Sequence, residues 1–367
     1  MTLERPTAIA IGTGDGDDRV AAETALEQRT SAQGRVHLLR TVGLLAALGA
    51  LGLCILLSIA VGAKSIPVST VWAALWDFDN ASYDQTVVFE LRLPRTILGL
   101  FIGAALGLAG ALMQALTRNP LADPGLLGVN AGASAAVVTA IFVFGITSLT
   151  GYVWFAFAGA GLTAIAVYFL GSRGRGGATP IRLALAGTAI GAVLQGVIHG
   201  IIVLDDYVFD QIRFWQVGSL VGRDMGLFVQ VLPFIAIGIV IALFLGPALN
   251  AIALGDDLAA ALGARINQIR AITAVAIVLL CGSATAAAGP IGFVGLTVPH
   301  IARAIVGPDQ RWVLPYSAVL GAILLVGADT LGRVVLPNGE LEVGIITAFV
   351  GAPVFIALVR RKRMAQL

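Results

Sequence analysis

The sequence predicts an all-α polytopic membrane protein with about ten transmembrane helices. Of its 367 residues, 58% are hydrophobic and only 12% are charged, and the mean hydropathy is +0.92. Soluble domains carry about 25% charged residues, so this chain has too few charges to cover a soluble surface of its size. Apolar stretches of the length that spans a hydrocarbon core also follow one another along the chain.

The first 36 residues differ in composition from the rest. They are polar and include the run Gly12-Thr13-Gly14-Asp15-Gly16-Asp17-Asp18. Such a segment buries too little apolar area to offset the entropy lost on ordering. We therefore expect a disordered tail over 1–36, which lacks the features of a signal peptide, and a transmembrane domain over 37–367.

Ten stretches have the length and polarity expected of a membrane span. The seventh and eighth are separated only by Gly289-Pro290, so residues 269–307 form either two spans or one broken helix with a re-entrant segment. The ten stretches are 41–63, 94–116, 126–147, 152–171, 181–204, 227–248, 269–288, 290–307, 313–333 and 343–359.

An even number of spans places both termini on one side of the membrane. If that side is the cytoplasm, 17 of the 23 Lys and Arg residues lie inside and 6 lie outside. This bias predicts a multi-pass protein of the cytoplasmic membrane with both termini in the cytoplasm. Two long outer segments, 64–93 and 205–226, carry Trp and Tyr residues typical of helices at the membrane surface.

One long inner loop, 249–268, has the pattern of a short helix. Two aspartates favour its start through the helix dipole, and a glycine favours its end. We therefore expect a compact helix at the inner membrane face. Its residues of interest are Leu254, Gly255, Asp256, Asp257, Leu258, Ala261, Leu262 and Gly263.

Small and polar residues recur at intervals of four in two spans, which puts each set on one helix face. Gly99, Gly103, Gly107 and Ala111 in the second span indicate close helix packing. The fifth span carries a more unusual face of small and polar residues, which either lines a translocation pathway or makes hydrogen bonds between helices. That face consists of Gly187, Gly191, Gln195 and His199.

Three arginines at the predicted outer ends of spans, Arg92, Arg95 and Arg333, oppose the usual charge bias. Their planar guanidinium groups suit bidentate pairing with carboxylates of another protein. Contact with lipid headgroups, or internal pairing with Glu90, Glu340 or Glu342, is the alternative. Asp329, within the ninth span, lies four residues before Arg333 and forms an ion pair with it or takes part in proton transfer.

Several classes of site are missing from the sequence. The two lysines, Lys64 and Lys362, do not follow a glycine, so no phosphate-binding loop of the G-x-x-x-x-G-K-[ST] type exists. The three histidines and two cysteines are far apart, so no zinc spacing exists. No nucleophile–base arrangement is apparent. We expect no catalytic activity, cofactor or metal in this chain, and the net charge of +2 argues against nucleic-acid binding.

The motifs resemble those of FecCD-type permeases, the membrane subunits of ABC importers for iron–siderophore complexes and vitamin B12. The similarity runs from about residue 41 to the end and is greatest to ferric-enterobactin permease subunits. The matching runs are RLPRT at 92–96, QALTRNPLADPGLLGV at 114–129, GPIGFVGLTVPH at 289–300 and GAPVF at 351–355. The enterobactin-type runs are GAKS at 62–65, DQIRFWQ at 210–216 and CGSATA at 281–286.

The resemblance implies the type II ABC importer permease fold and several partners. Two ATP-binding subunits, which bind ATP and Mg²⁺, would dock on loop 249–268, and an outer siderophore-binding protein would dock on Arg92, Arg95 and Arg333. A second, homologous permease subunit would complete a heterodimer with the pathway between the subunits. The implied substrate is a ferric siderophore, moved by alternating access.

Other functions remain open from the sequence. Vitamin B12 or haem is a possible substrate of the same machinery. A second class is an ion-coupled secondary transporter. Such proteins bind coupling ions at broken helices, and Gly289-Pro290 and Asp329 are the features of this sequence that would form such a site. An integral membrane enzyme is a third class, against which the lack of clustered His, Cys or acidic residues argues.

Overall fold

The computed structural model describes residues 16–360, with gaps at 63, 65, 174–179 and 337–338. All regular elements in these ranges are helical, which confirms the predicted fold class. A π-helical segment (Val87–Arg92) leads into α4, and a 3-10 turn (Pro124–Leu127) precedes α5. The helices are α1 (Gly16–Ala60), α2 (Val68–Trp76), α3 (Tyr83–Thr86), α4 (Leu93–Thr117), α5 (Val129–Phe144), α6 (Leu149–Ser172), α7 (Pro180–Leu204), α8 (Asp206–Val217), α9 (Met225–Phe244), α10 (Gly246–Ala253), α11 (Asp256–Ala261), α12 (Ile266–Ala288), α13 (Val294–Val306), α14 (Gln310–Val335) and α15 (Val343–Arg360).

The membrane-spanning helices correspond to the ten predicted stretches. Within the described ranges, 7 helices are long and apolar enough to cross a membrane, and three shorter apolar helices, α5, α13 and α15, accompany them. Residues 269–307 form two helices. Gly289 (φ +79°) and Phe293 (φ +67°) have left-handed backbone conformations that separate α12 from α13.

Helix α1 begins within the segment for which the sequence predicts a disordered tail. Residues 16–36 are helical, and residues 1–15 of that tail lie outside the described part of the chain. The run Val20-Ala21-Ala22-Glu23 belongs to a stretch in which good helix formers outnumber glycine, and this explains the longer helix. The chain divides into two units, residues 1–46 and residues 47–367, and the second contains the helix bundle.

Helix α4 lies at the centre of the bundle, and most of its side chains are buried. Its glycines permit backbone contact with neighbouring helices, as the four-residue spacing predicts. A Cβ atom on Gly103 would overlap the carbonyl oxygen of Gly321, and one on Gly107 would overlap that of Ser317, both in α14. Gly110 has the same relation to Gly295 of α13. Close contact of this kind is a main source of helix association in lipid.

The two ends of the bundle carry different short helices. We call the end at which α4 begins and α14 ends the α8 face, and the end at which α4 ends and α12 begins the α11 face. Helix α2 exposes Trp72 and Trp76, and α8 exposes Tyr207 and Phe214, as expected of helices at the membrane surface. Trp215 differs because it is buried, 6.1 Å from the ring of Tyr152.

Replacement of Gly107 by Leu should destabilise the protein, because the new side chain would overlap the backbone of α14. Overpacking of this kind costs about 1–3 kcal/mol. Gly327→Leu is the matched control, since no atom lies within 4 Å of a Cβ at that position. The unfolding midpoint of the purified protein should fall for Gly107→Leu and change little for Gly327→Leu. Equal midpoints would contradict the tight contact.

Candidate functional site

A buried ionic cluster lies near the α8 face, centred on Asp329 of α14. Asp329 is 1% exposed and accepts hydrogen bonds from Arg95 Nε at 2.9 Å and Arg95 Nη2 at 2.8 Å. Arg333, one turn along α14, donates to the same carboxylate through Nε at 3.1 Å and through Nη2. The predicted pair of Asp329 and Arg333 is therefore present, and Arg95 of α4 joins it. We call Arg95, Asp329, Arg333 and Glu340 the Asp329 cluster.

The cluster ties three distant parts of the chain together. Arg333 Nη1 donates to the carbonyl oxygen of Ser58 in α1 at 2.7 Å. Arg95 Nη1 lies 2.5 Å from Glu340 Oε2, on the segment that joins α14 to α15. Since the side chain of Glu340 is 31% exposed, it closes the cluster toward the surface. Of the three glutamates considered from the sequence, Glu340 makes this internal pair.

Arg92 has a different set of partners. It is 6% exposed and donates to the carbonyl oxygens of Ile59 at 2.9 Å and Ala60 at 2.7 Å, and also to that of Lys64. These carbonyls lie at or just beyond the end of α1, where a helix has no internal donors for its last carbonyl groups. Arg92 therefore caps α1 from the neighbouring π-helical segment.

The structure brings the three arginines predicted for partner docking into one buried region. All are less than a tenth exposed, and internal acceptors occupy donors on each guanidinium group. Their role in docking stays a prediction. The sequence placed these three charges on the predicted outer side, where Lys and Arg are usually scarce. It did not show their partners, because a pair such as Arg95 and Asp329 is separated by 234 residues.

On the α11 face, the residues predicted for coupling form a separate short helix. Gly255 (φ +107°) and Gly263 (φ +82°) bracket α11 with backbone conformations that favour glycine. Three leucines spaced by four residues project from this segment, and Ala259 is buried beneath it. The exposed fractions are 57% for Leu254, 59% for Leu258 and 69% for Leu262. Exposure of an apolar row to water is unfavourable, so this row is a candidate contact surface.

Two arginines anchor the start of α11 to the bundle. Asp256 lies 2.9 Å from Arg270 Nη2 at the start of α12 and also contacts Arg118 Nη2 at the end of α4. Burial alone would raise the pKa of Asp256, but the hydrogen bonds and positive charges of Arg118 and Arg270 outweigh it and lower the pKa. The carboxylate is thus charged at neutral pH. Asp257 lies beside Asp256 in the first turn of α11, and Ala261 ends the helix.

The face of α7 predicted to line a pathway has two different parts. Gly187 is buried against the 3-10 turn, where a Cβ atom would overlap the carbonyl oxygen of Leu126. Gly191 is partly buried, 4.0 Å from Ala131 Cβ. Gln195 and His199 are exposed, and His199 Nδ1 lies 2.7 Å from the carbonyl oxygen of Gln195. Gly187 therefore packs against the 3-10 turn, whereas Gln195 and His199 are exposed in the single chain.

A further polar group lies inside the bundle and was not singled out from the sequence. Gln114 of α4 donates to the carbonyl oxygens of Gly295 and Leu296 at 3.1 Å each and accepts from Arg303. Arg303 is 7% exposed, and its Nη1 has no hydrogen-bond partner in the described residues. The sequence does contain a signal for this contact. A glutamine within an apolar span normally faces a partner helix, so the position of Gln114 indicates a contact between helices.

Comparison with known proteins places these features in one family. The model of the FecCD transport family matches residues 50–361. The ferric enterobactin transport system permease protein FepD of Escherichia coli (strain K12) is 52% identical over 306 residues, which are 83% of this chain and 91% of that protein. The probable siderophore transport system permease protein YfiZ of Bacillus subtilis (strain 168) is 44% identical over 291 residues, 79% of this chain and 87% of that one.

A solved structure agrees with the fold. A metal-chelate type ABC transporter in an inward-facing conformation matches with a TM-score of 0.77 and 26% identity. The match covers 88% of this chain and 99% of that chain. The agreement confirms the predicted permease architecture of an ABC transporter.

Replacement of Asp329 by Asn should destabilise the protein strongly. The change leaves Arg95 and Arg333 buried without their shared carboxylate, and loss of one partner from a buried ion pair costs about 3–5 kcal/mol. Asp84→Asn is the control, since it breaks the more exposed pair with Lys64 at 2.5 Å, worth about 0–1 kcal/mol. Unfolding midpoints in denaturing detergent would measure both. Similar losses for the two variants would show that the Asp329 cluster has no structural role.

Proposed function

The chain belongs to the FecCD transport family, and from this premise we propose that it is the permease subunit of an ATP-driven ABC importer for a ferric siderophore. The identity of 52% to a ferric enterobactin permease is the observation that carries the choice of substrate. Vitamin B12 and haem are alternative substrates of the same mechanism. The chain itself supplies a path and no catalysis, and ATP and Mg²⁺ are bound by partner subunits.

The proposed orientation places the α11 face in the cytoplasm and the α8 face outside. The excess of Lys and Arg predicted for the α11 side supports this orientation. With an even number of spans, both termini would then lie in the cytoplasm. The protein then lies in the cytoplasmic membrane. The exposed Tyr207 and Phe214 of α8 would lie at the outer headgroup level.

Helix α11 is the proposed contact for the two ATP-binding subunits. Its exposed leucines would fill an apolar groove on a partner, since a few apolar anchors carry most of the binding energy at an interface. Its tie to Arg118 and Arg270 connects it rigidly to α4 and α12. Movement of an ATPase would therefore reach α4, the central helix, through the Arg118 pair and α12 through the Arg270 pair.

The translocation pathway is proposed to lie between this chain and a second, homologous permease subunit, in a heterodimer. The open half of the α7 face, with Gln195 and His199, supports this arrangement because exposed polar side chains on a spanning helix need a polar neighbour. Closure of the ATPases would tilt the two α7 helices and open the path to one side at a time. The alternative of an ion-coupled transporter has Asp329 as its candidate acid, but two arginines already neutralise that carboxylate.

Transport in a defined system tests the proposal. The chain would be reconstituted with its second permease, its ATPases and its binding protein in vesicles whose proton gradient is collapsed. Uptake of ferric enterobactin should then require ATP on the α11 side. Uptake that follows an imposed proton or sodium gradient without ATP would overturn the proposal in favour of the ion-coupled class, and selective uptake of vitamin B12 or haem would overturn the choice of substrate.

In the same vesicles, Leu258→Asp and Leu262→Asp should abolish most uptake, because each places a charge in the proposed apolar contact. ATP hydrolysis should no longer respond to the loaded binding protein. Gln268→Glu is the control, since it adds a negative charge to an exposed position on the same face without removing an apolar side chain. Normal coupled uptake in both leucine variants would exclude α11 as the coupling element.

The docking proposal for Arg92, Arg95 and Arg333 predicts an effect of Glu340. Because Glu340 covers Arg95 from the surface, a carboxylate of the binding protein has to replace it. Glu340→Gln should therefore tighten binding-protein docking about twofold to fivefold, as expected for the loss of a partly exposed competing ion pair. Glu90→Gln, at an exposed position, serves as the control. Equal affinities of both variants and the unchanged protein in a surface-binding assay would argue against docking on Arg95.

A further inference from the structure

An apolar groove at the α11 end of the bundle has no role in the function proposed above. Its volume is about 390 Å³, and helices α4, α6, α7 and α12 form its walls, together with Leu127 of the 3-10 turn. The lining is almost entirely aliphatic, with Leu116, Leu183 and Val278 among its residues. It therefore offers little to a polar iron chelate, and its contents have to be apolar.

The groove opens sideways on helices that span the membrane. Ile165 of α6 and Val275 of α12 both line it, and they are 67% and 53% exposed. Both helices are long and apolar enough to cross a bilayer. In such a position the surrounding medium is lipid hydrocarbon, so an acyl chain has direct access to the groove.

All four walls carry an arginine at the same end of the groove. In α12 the residue is Arg270, which itself lines the groove. In the other three walls an arginine lies one to five residues from a lining residue. Arg118 follows Thr117 in the α4 wall, Arg173 follows Tyr168 by five residues in the α6 wall, and Arg182 precedes Leu183 in the α7 wall.

We propose that this groove binds one glycerophospholipid of the cytoplasmic leaflet, with an acyl chain between α6 and α12 and its phosphate at Arg270. An apolar slot lined at one end by Arg270, with other arginines close in sequence to its lining, matches the two chemical parts of such a molecule. Basic pockets between spanning helices on the cytoplasmic side are suited to anionic headgroups. A planar guanidinium group also pairs with phosphate through two parallel hydrogen bonds.

Arg270 connects the lipid site to α11. Its Nη2 donates to Asp256 Oδ2 at 2.9 Å, and its side chain is 23% exposed. The lipid phosphate and Asp256 therefore share one guanidinium group. A bound anionic lipid would weaken the contact of Arg270 with α11. This regulatory consequence rests on the proposed function of α11, whereas the lipid site itself uses only the proposed orientation, which assigns the leaflet.

Lipid binding to the full-length chain, purified with its co-purifying subunits, tests the site directly. The protein is delipidated in mild detergent, dioleoyl phosphatidylglycerol is added, and retained lipid is counted by native mass spectrometry. Ala274→Trp should fill the groove and reduce retention at least tenfold. Ile272→Trp is the matched control, since it lies two residues away on the same helix, is exposed and does not line the groove.

The headgroup is tested with two further variants and a second lipid. Arg270→Gln should remove the preference for phosphatidylglycerol over dioleoyl phosphatidylcholine, and Asp256→Asn should strengthen it, because it frees Arg270. Thermal unfolding establishes that each variant is folded. Equal lipid retention by Ala274→Trp and Ile272→Trp would overturn the site. So would an Ala274→Trp variant that loses a subunit of the complex but retains as much lipid as the unchanged protein. These binding results do not depend on whether the chain transports siderophores.

Discussion

The packing of α4 against α14 and α13 without intervening side chains is the constraint on which the bundle depends. Gly103, Gly107 and Gly110 bring backbone within contact of backbone at three successive levels. In lipid, apolar side chains gain little from leaving their surroundings, so van der Waals contact of this kind supplies much of the association. Because α4 and α14 are held this closely, Arg95 and Asp329 can meet near one end, and Gln114 can reach α13 near the other.

Each end of α4 takes part in an ionic contact. At one end Arg95 enters the Asp329 cluster, and at the other Arg118, in a left-handed conformation that terminates the helix, reaches Asp256 of α11. One rigid helix thus has an ionic contact at each face of the bundle. Such an arrangement suits a protein whose work is to relate events on one side of a membrane to events on the other.

Much of the fold was predictable from the sequence, because it follows from local pattern. The apolar stretches correspond to the ten apolar helices in the described ranges, and Asp256, Asp257 and Gly263 predict the bounds of α11 within about two residues. The glycine spacing of α4 also predicted a close contact. Its partner was not predictable, since Ser317 and Gly321 are more than 200 residues away along the chain.

The candidate sites were less predictable, because they depend on partners remote in sequence. The spacing of Gly187 and His199 shows that they share a helix face, but only the packed chain shows that Gly187 contacts Leu126 while His199 is open. Likewise, the charge bias identified Arg92, Arg95 and Arg333 as unusual without showing that each is buried. Helix spacing and charge bias identify these residues from the sequence, but their neighbours depend on the tertiary structure.

The cap that Arg92 places on α1 has a consequence for biogenesis. The carbonyl groups of Ile59 and Ala60 receive their donor from a residue more than 30 positions later, next to the start of another span. Until that second span enters the bilayer, those oxygens depend on water or headgroups, since hydrocarbon offers no donor. The end of the first span is thus completed by a donor from the segment that leads into the second span, and that donor exists only once the segment has been made.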